Sequence, residues 1–412
     1  MQVLMQNMEQ IEQWMNVYTE GAPKDIQRLK DMLANLGHPE LKAPAIHVTG
    51  TNGKGSTCRY IEKIARDHGY STLLFTSPHL VQLSERIRYN QEDVSDRAFI
   101  ELMNEVRQHV EDLHIPAMTY FEVLTLAYFV HASKLNIDLM IVEVGIGGKT
   151  DYTNVLPSAV RVITSIGRDH IPGLGKNEAA ITRQKAGIIH QGDRTIIGEM
   201  DQVYIDIIQK VANENEGQLI SYKSEVAVQV PQLGFYQVWN AQTALAAFRH
   251  FTEVNHLHFD ENIAIEAIHE TEIPGRLERV VDLPETYIDG AHNISAIQVL
   301  VPEIQKSFAG REVIMLFAAL TRKDIKESLD YVATFSEIDL HVTSFDYYDA
   351  RSREDYLEDT DAHFVENWYD YYMEVAHNKP EAVFIFCGSF YFISEVREKL
   401  QSGDIYENIS NF

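Results

Sequence analysis

From Ala45 onward, short β-branched and aliphatic runs alternate with stretches whose apolar positions recur at helical spacing. AIHVT (45–49), STLLFT (71–76), DLMIVEV (138–144), AVRVITSI (159–166) and RTIIG (194–198) read as buried strands. Segments 54–68, 96–113, 121–135, 177–186 and 201–214 read as the helices between them. Strands separated by helices imply βαβ units and a mostly parallel sheet. After Pro274–Gly275 the alternation starts again with TYIDG (286–290), REVIMLFA (311–318), IDLHVTS (338–344) and EAVFIFCG (381–388), each followed by a helical stretch. The pattern predicts an α/β protein of two domains, 1–272 and a smaller 278–412, with 273–277 as the hinge. The N-terminal MQVLMQNMEQIEQWMN has no basic start followed by an apolar stretch, so it reads as an amphipathic helix and not a signal peptide.

A chain of 412 residues exceeds the size at which one hydrophobic core stops growing, which agrees with two domains. No run approaches the apolar length of a transmembrane helix. Formal net charge is −26, and a nucleic acid or an anionic membrane would need a broad basic face that such a chain lacks. Small anions remain open to it, provided their site is built locally from a few cations, backbone N–H groups and divalent metal. Cys58 and Cys387 stand in opposite halves without a partner motif, which points to reduced thiols and a cytoplasmic protein.

One segment carries sharp chemistry. In His47-Val48-Thr49-Gly50-Thr51-Asn52-Gly53-Lys54-Gly55-Ser56-Thr57 a β-run ends in a glycine-rich turn, and a helical pattern begins at once. Glycines let the backbone turn its N–H groups inward, the helix N-terminus adds partial positive charge, and Lys54 reaches the outer phosphates. The first domain is therefore expected to be P-loop NTPase-like, and the second a Rossmann-like α/β unit. The usual loop places Ser or Thr directly after the lysine as a Mg²⁺ ligand, whereas here that position is Gly55. Some metal ligation then has to come from elsewhere.

HVTGTNGKGST resembles the phosphate loop of the Mur-type ligases, and of their folate branch in particular. The remaining pieces follow in that family's order: TSPHL (76–80), ERI (85–87), TYFEVLTLA (119–127), EVGIGGKTDYTNV (143–155), ITSIGRDH (163–170), KAGII (185–189), PGRLE (274–278), DGAHN (289–293) and CGSFYFISEVR (387–397). The match spans residues 45 to 400 and resembles folylpolyglutamate synthases and dihydrofolate synthases. Such enzymes use ATP to phosphorylate a folate carboxylate, which the amine of L-glutamate then attacks, releasing ADP and phosphate. The resemblance implies ATP and two Mg²⁺ sites as cofactors. It implies a folate or dihydropteroate and glutamate as partners; the chain itself is expected to act as a monomer.

Glu143 ends a strand beside the phosphate loop, where a carboxylate is well placed for Mg²⁺. The resemblance implies the same for Glu143, adds Ser77 and His170 as metal ligands, and makes Lys185 a carbamylated lysine at the metal site. It assigns the loop residues Gly50 to Thr57, Asn240, Arg276 and Asp289 to the nucleotide, with Arg276 reaching the phosphates from the hinge. For Arg276 the plainer alternative is a salt bridge to Glu278. Gln237 and Asn240 lie in YQVWNAQTALAA, which departs from the family's HQxxNA wording in lacking the histidine and carrying Trp239. Tyr120 and Phe121 offer aromatic surface to a pterin, and Arg86 can pair bidentately with a carboxylate. His292, Ser389 and Tyr391 match glutamate-side positions. Lys149, Thr150 and Tyr152 differ from the common GGRLDATNV form, which bears on substrate preference.

The loop alone also fits a kinase or a motor ATPase, and a regulatory protein with a dead site would keep the loop with a broken metal set. Ser77, Glu143, His170 and Lys185 are all present. TSPHL, TYFE and CGSFYFISEVR favour the folate branch over ligases acting on cell-wall acids.

Overall fold

The computed structural model describes residues 4–169, 173–223 and 226–401. Eight strands form the first sheet: β1 (Ala45–Thr49), β2 (Thr72–Phe75), β3 (Ile87–Tyr89), β4 (Glu92–Asp93), β5 (Leu139–Glu143), β6 (Val160–Ile163), β7 (Arg194–Ile197) and β8 (Gln218–Ser221). Their order is β4-β3-β2-β5-β1-β6-β7-β8, parallel from β2 to β8, with β3 and β4 added antiparallel at one edge. Strands β1, β2 and β5 are buried along their whole length, so they read as continuous apolar runs and not as alternating ones. The chain leaves β1 for β2 on one side of it, and β6 follows on the other. That reversal opens a crevice at the carboxyl ends of β1, β5 and β6.

The helix Tyr120–Ser133 is apolar nearly all round because it is enclosed: it packs against helices Met8–Thr19, Ile26–Asn35 and Asp96–Asp112 and against the sheet. Its Tyr128 ring lies 5.1 Å from Phe75, and the Tyr128 hydroxyl donates to the Leu73 carbonyl at 2.9 Å. A capping box fixes its start, with Thr119 Oγ1 accepting from Glu122 N and Glu122 accepting from Thr119 N. Glu122 is buried and also takes an ion pair from Arg28.

The second sheet comprises β9 (Glu278–Val281), β10 (Thr286–Ile288), β11 (Val313–Phe317), β12 (Ile338–Thr343), β13 (His363–Val365) and β14 (Val383–Cys387). Its order is β13-β12-β11-β14-β10-β9, parallel except for the edge strand β9. The predicted α/β architecture and parallel sheets are what the structure contains. Contacts divide the chain into Met1–Ser77, Leu83–Gln229 and Trp239–Thr271 on the one hand, and Pro78–Gln82, Val230–Val238 and Glu272–Phe412 on the other. Two short segments thus leave the contiguous reading of the first domain. Leu80 and Leu233 explain this, since each packs on the core of the second unit. Cys58 and Cys387 are both buried and free. Among the described residues no helix is long and apolar enough to cross a membrane.

Candidate active site

The phosphate loop leaves β1 and is held down by the end of β6. Thr51 N donates to the Ser165 carbonyl at 2.9 Å and Asn52 N to Ser165 Oγ at 3.0 Å; Thr164 Oγ1 donates to the Asn52 carbonyl at 2.6 Å. Thr51 Oγ1 both donates to the Gly167 carbonyl and accepts from Gly167 N. Contact is so close at Gly50 that a Cβ there would stand 1.9 Å from Thr164 Oγ1. Gly53, at φ +81°, is the N-cap of the helix Lys54–Asp67 and has no side chain with which to cap it. The first-turn N–H groups of a helix have no intrahelical acceptor and favour an anion. A Cβ on Gly53 would meet Asn240 Oδ1 at 2.2 Å, so Asn240 lies directly over the loop.

Glu143, Ser77, Lys54 and Gly55 converge at the ends of β5 and β2. Glu143, only 3% exposed, accepts from Ser77 N at 3.0 Å and stands 4.0 Å from Lys54 Nζ. Gly55 faces the same carboxylate, its Cβ position being 3.5 Å from Glu143 Oε2. The Ser56 and Thr57 hydroxyls are buried with no hydrogen-bond partner among the described residues. Carboxylate and hydroxyl oxygens are the hard donors that Mg²⁺ takes alongside water and phosphate, and Glu143 with Ser77 and Ser56 fits that ion. Among the described residues no group of three or more His, Cys, Asp or Glu is assembled for a metal. His170, the expected second-metal histidine, lies outside the described residues.

Lys185 sits on the helix Glu178–Ala186 and is 3% exposed, with Nζ donating to the Gly50 carbonyl at 2.7 Å. Burial lowers its pKa from the usual 10.5 to about 7; the Lys54 charge pushes the same way, and Asp169 and Asp151 oppose. The turn after Glu143 is packed onto this helix: Lys149 N donates to the Gln184 carbonyl at 2.8 Å, and a Cβ on Gly148 would lie 2.8 Å from it. Thr49 Oγ1 fastens the same turn to β1 through the Gly147 carbonyl at 2.6 Å.

Sequence reasoning missed what lies beneath that turn. Arg161 on β6 is fully buried and donates to His47 Nδ1 (2.8 Å), His190 Nδ1 (2.9 Å) and Asp193 (2.8 Å). A guanidinium only donates, so His47 accepts at Nδ1 and carries its proton at Nε2, donating to Thr153 Oγ1 at 2.8 Å. Thr153 in turn donates to Asp151 at 2.5 Å, and Asp151 accepts from Ile146 N at 3.0 Å. Burial and the Arg161 charge hold His47 neutral, well below the usual histidine range. His47 and DYTNV were both visible in the sequence, but nothing local joined them.

For the acid-side residues, the Arg86 guanidinium lies 6.0 Å from the Tyr120 ring centre, and Phe121 packs on Gly145, where a Cβ would come within 2.6 Å of its ring. In the second unit DGAHN and CGSFYF are adjacent because β10 and β14 pair. Gly388 N donates to the Ala291 carbonyl at 2.8 Å. The Arg276 guanidinium lies 4.6 Å over the Phe390 ring and donates to the Gly275 carbonyl at 3.0 Å. His292 meets the same ring edge-on at 6.0 Å. Ser389 is buried, and Tyr391 stacks on Tyr347 at 4.2 Å. Glu278 is engaged by Arg397 at 2.9 Å and by Gly275 N at 2.7 Å; the alternative pair with Arg276 is not what forms.

Residues 48–227 match the Mur ligase middle domain. The dihydrofolate synthase/folylpolyglutamate synthase of Bacillus subtilis is 31% identical over 415 residues, covering 92% of this chain and 96% of that protein. The folylpolyglutamate synthase of Mycobacterium tuberculosis, solved with ADP and AMPPCP, superposes with a TM-score of 0.85 at 26% identity, covering 95% of this chain and 98% of that one. E. coli FolC in complex with DHPP and ADP gives a TM-score of 0.85 at 27% identity, with 96% and 98% covered.

A buried lysine titrates in a way that can be read from stability. Between about pH 7 and 10.5 the unfolded chain binds the Lys185 proton and the folded one does not, so stability rises with pH across that window. Below pH 7 the full penalty is present, on the order of a few kcal/mol. Lys185→Met removes the charge. In CO₂-free buffer it is expected to melt above the wild type at pH 7 and below, with the gain shrinking toward pH 10. A difference in melting temperature that ignores pH would show that the amine is not desolvated.

Proposed function

The chain belongs to the dihydrofolate synthase/folylpolyglutamate synthase family of Mur-type ligases, and from that membership we infer that it joins L-glutamate to the carboxylate of a folate at the expense of ATP, releasing ADP and phosphate. The single observation that carries this to the chain's own residues is the convergence of Lys54, Glu143, Ser77 and Lys185 at one phosphate loop.

In the proposed reaction the loop N–H groups and Lys54 hold the ATP phosphates, and a folate carboxylate takes the terminal phosphoryl group. The glutamate amine then displaces phosphate from the resulting acyl phosphate. Such a transfer asks the protein for positioning and neutralisation of charge. Glu143 and Ser77, with Ser56 in place of the hydroxyl that Gly55 lacks, would hold Mg²⁺, whose role is to screen the phosphate oxygens. His170 is proposed as a ligand of a second ion. Lys185 is proposed to be carbamylated: a neutral amine adds CO₂ with loss of a proton, and a pKa near 7 supports this because it leaves much of the amine neutral at physiological pH. Asn240, Arg276 and Asp289 are assigned to the nucleotide, Arg86, Tyr120 and Phe121 to the folate, and His292, Ser389 and Tyr391 to glutamate. We place the enzyme in the cytoplasm as a monomer, of two domains hinged at 273–277.

Within the family some chains extend tetrahydrofolate, some glutamylate dihydropteroate and some do both. We propose extension of reduced folates, with dihydropteroate as a second acid. ADP release measured with glutamate and either acid at matched concentrations decides this; a strong rate with dihydropteroate and none with tetrahydrofolate would reverse the preference and leave the ligase chemistry standing. A kinase or motor ATPase would release ADP without any amino acid. If Glu143 and Ser77 hold Mg²⁺, Glu143→Ala and Ser77→Ala should each raise the Mg²⁺ requirement and lower kcat by about 10²-fold or more, with a far smaller effect on nucleotide binding. Unchanged Mg²⁺ dependence in Glu143→Ala would make that carboxylate structural.

A further inference from the structure

The second unit contains a buried carboxylate whose acceptor capacity is almost filled by the protein itself. Asp289 follows β10 and is 3% exposed. Its Oδ2 accepts from the Tyr236 hydroxyl at 2.8 Å and from Leu277 N at 2.9 Å, and its Oδ1 accepts from Ala291 N at 2.8 Å. An ionised carboxylate offers about four lone-pair directions. Three are spent on fixed protein donors, and the fourth, on Oδ1, suits a single hydroxyl donor from a ligand.

Tyr236 is built to make its contact. It opens the helix Tyr236–Val254, at the position where the family wording has histidine. Gly234, at φ +104°, clears the space for its ring: a Cβ there would stand 2.8 Å from two ring carbons. Glu303 holds the approach in place by accepting from Gly234 N and Phe235 N. Burial and the Asp289 charge push the phenol well above its usual range, so it stays a donor. The other Oδ2 donor, Leu277 N, belongs to a residue at φ +40°, an uncommon left-handed backbone for a leucine. Asp289 therefore ties the turn that carries Arg276 to the DGAHN turn, and Tyr236 sets the rotation of the carboxylate about both.

We propose that Tyr236 is a positioning residue for nucleotide recognition: its hydroxyl, bonded to Asp289 Oδ2, orients Asp289 so that Oδ1 is presented to a ribose hydroxyl of ATP. The inference rests on the proposed assignment of Asp289 to the nucleotide and takes the ribose as the part that this carboxylate meets. It goes further in making one tyrosine hydroxyl of this chain the determinant of how strictly the ribose is read.

The test is the KM for 2′-deoxy-ATP and for 3′-deoxy-ATP, each divided by the KM for ATP, in the wild type, Tyr236→Phe and Asp289→Asn, with folate and glutamate saturating. Because the ratio is internal to each protein, a partly unfolded variant does not distort it. The wild type is expected to penalise one deoxy analogue about tenfold, the scale of a hydrogen bond to a charged group. In Tyr236→Phe that penalty should fall to about twofold, with kcat reduced less than KM(ATP) is raised. Asp289→Asn should erase the penalty. If Asp289→Asn erases it while Tyr236→Phe keeps it whole, the role of Tyr236 is overturned and the ribose assignment stands. If the wild type shows no penalty, or Asp289→Asn leaves it unchanged, the ribose assignment fails and the inference with it.

Discussion

The structure of the first unit turns on an amine buried where a charge is unwelcome. Lys185 Nζ is bonded to the carbonyl of Gly50, the residue at which β1 becomes the phosphate loop, and it lies within the field of Lys54. Two ammonium groups beneath one turn repel, and burial removes the water that would screen them. The conflict is relieved if the deeper amine gives up its proton. Everything around it is arranged to keep the amine there. Gly147 and Gly148 bring the turn after Glu143 down onto the Lys185 helix, and Thr49 fastens that turn to β1. Arg161, His47 and Thr153 form a chain of donors ending at Asp151, which holds the turn from below.

That arrangement also answers a problem set by composition. A chain of net charge −26 repels ATP, folate and glutamate, all of which are anions. In the proposed mechanism attraction is local, from Lys54 with a helix N-terminus in the first unit and from Arg276, stacked on Phe390, in the second. Glu143 stands 4.0 Å from Lys54, and its value in the proposed mechanism is as a hard oxygen ligand for a cation that offsets phosphate charge.

Much of this is legible in the sequence alone. Central strands such as DLMIVEV and EAVFIFCG are apolar on both faces and announce themselves as buried parallel strands. The β3–β4 hairpin, β8, β9 and β13 have no comparable signal, because strands of two to four residues at or beside a sheet edge carry too little pattern. Glycine at 50, 53 and 55 is readable as a loop, although the close approaches that require it, of Thr164 at Gly50 and Asn240 at Gly53, appear only in the fold. Arg161 shows the limit most clearly. Within VRVITSI it looks like a solvent-facing break in an apolar run, yet it is buried and paired with residues 32 and 114 positions away. Lys185 was identified only through resemblance, since nothing near it in the chain predicts its burial.

The account stands or falls on the state of the Lys185 amine. Carbon-13 NMR of the protein equilibrated with labelled bicarbonate reads it directly. A protein-bound carbamate resonance in the wild type, absent in Lys185→Met and lost together with activity on exhaustive removal of CO₂, is the predicted result. Full turnover in CO₂-free buffer with no such resonance would contradict it.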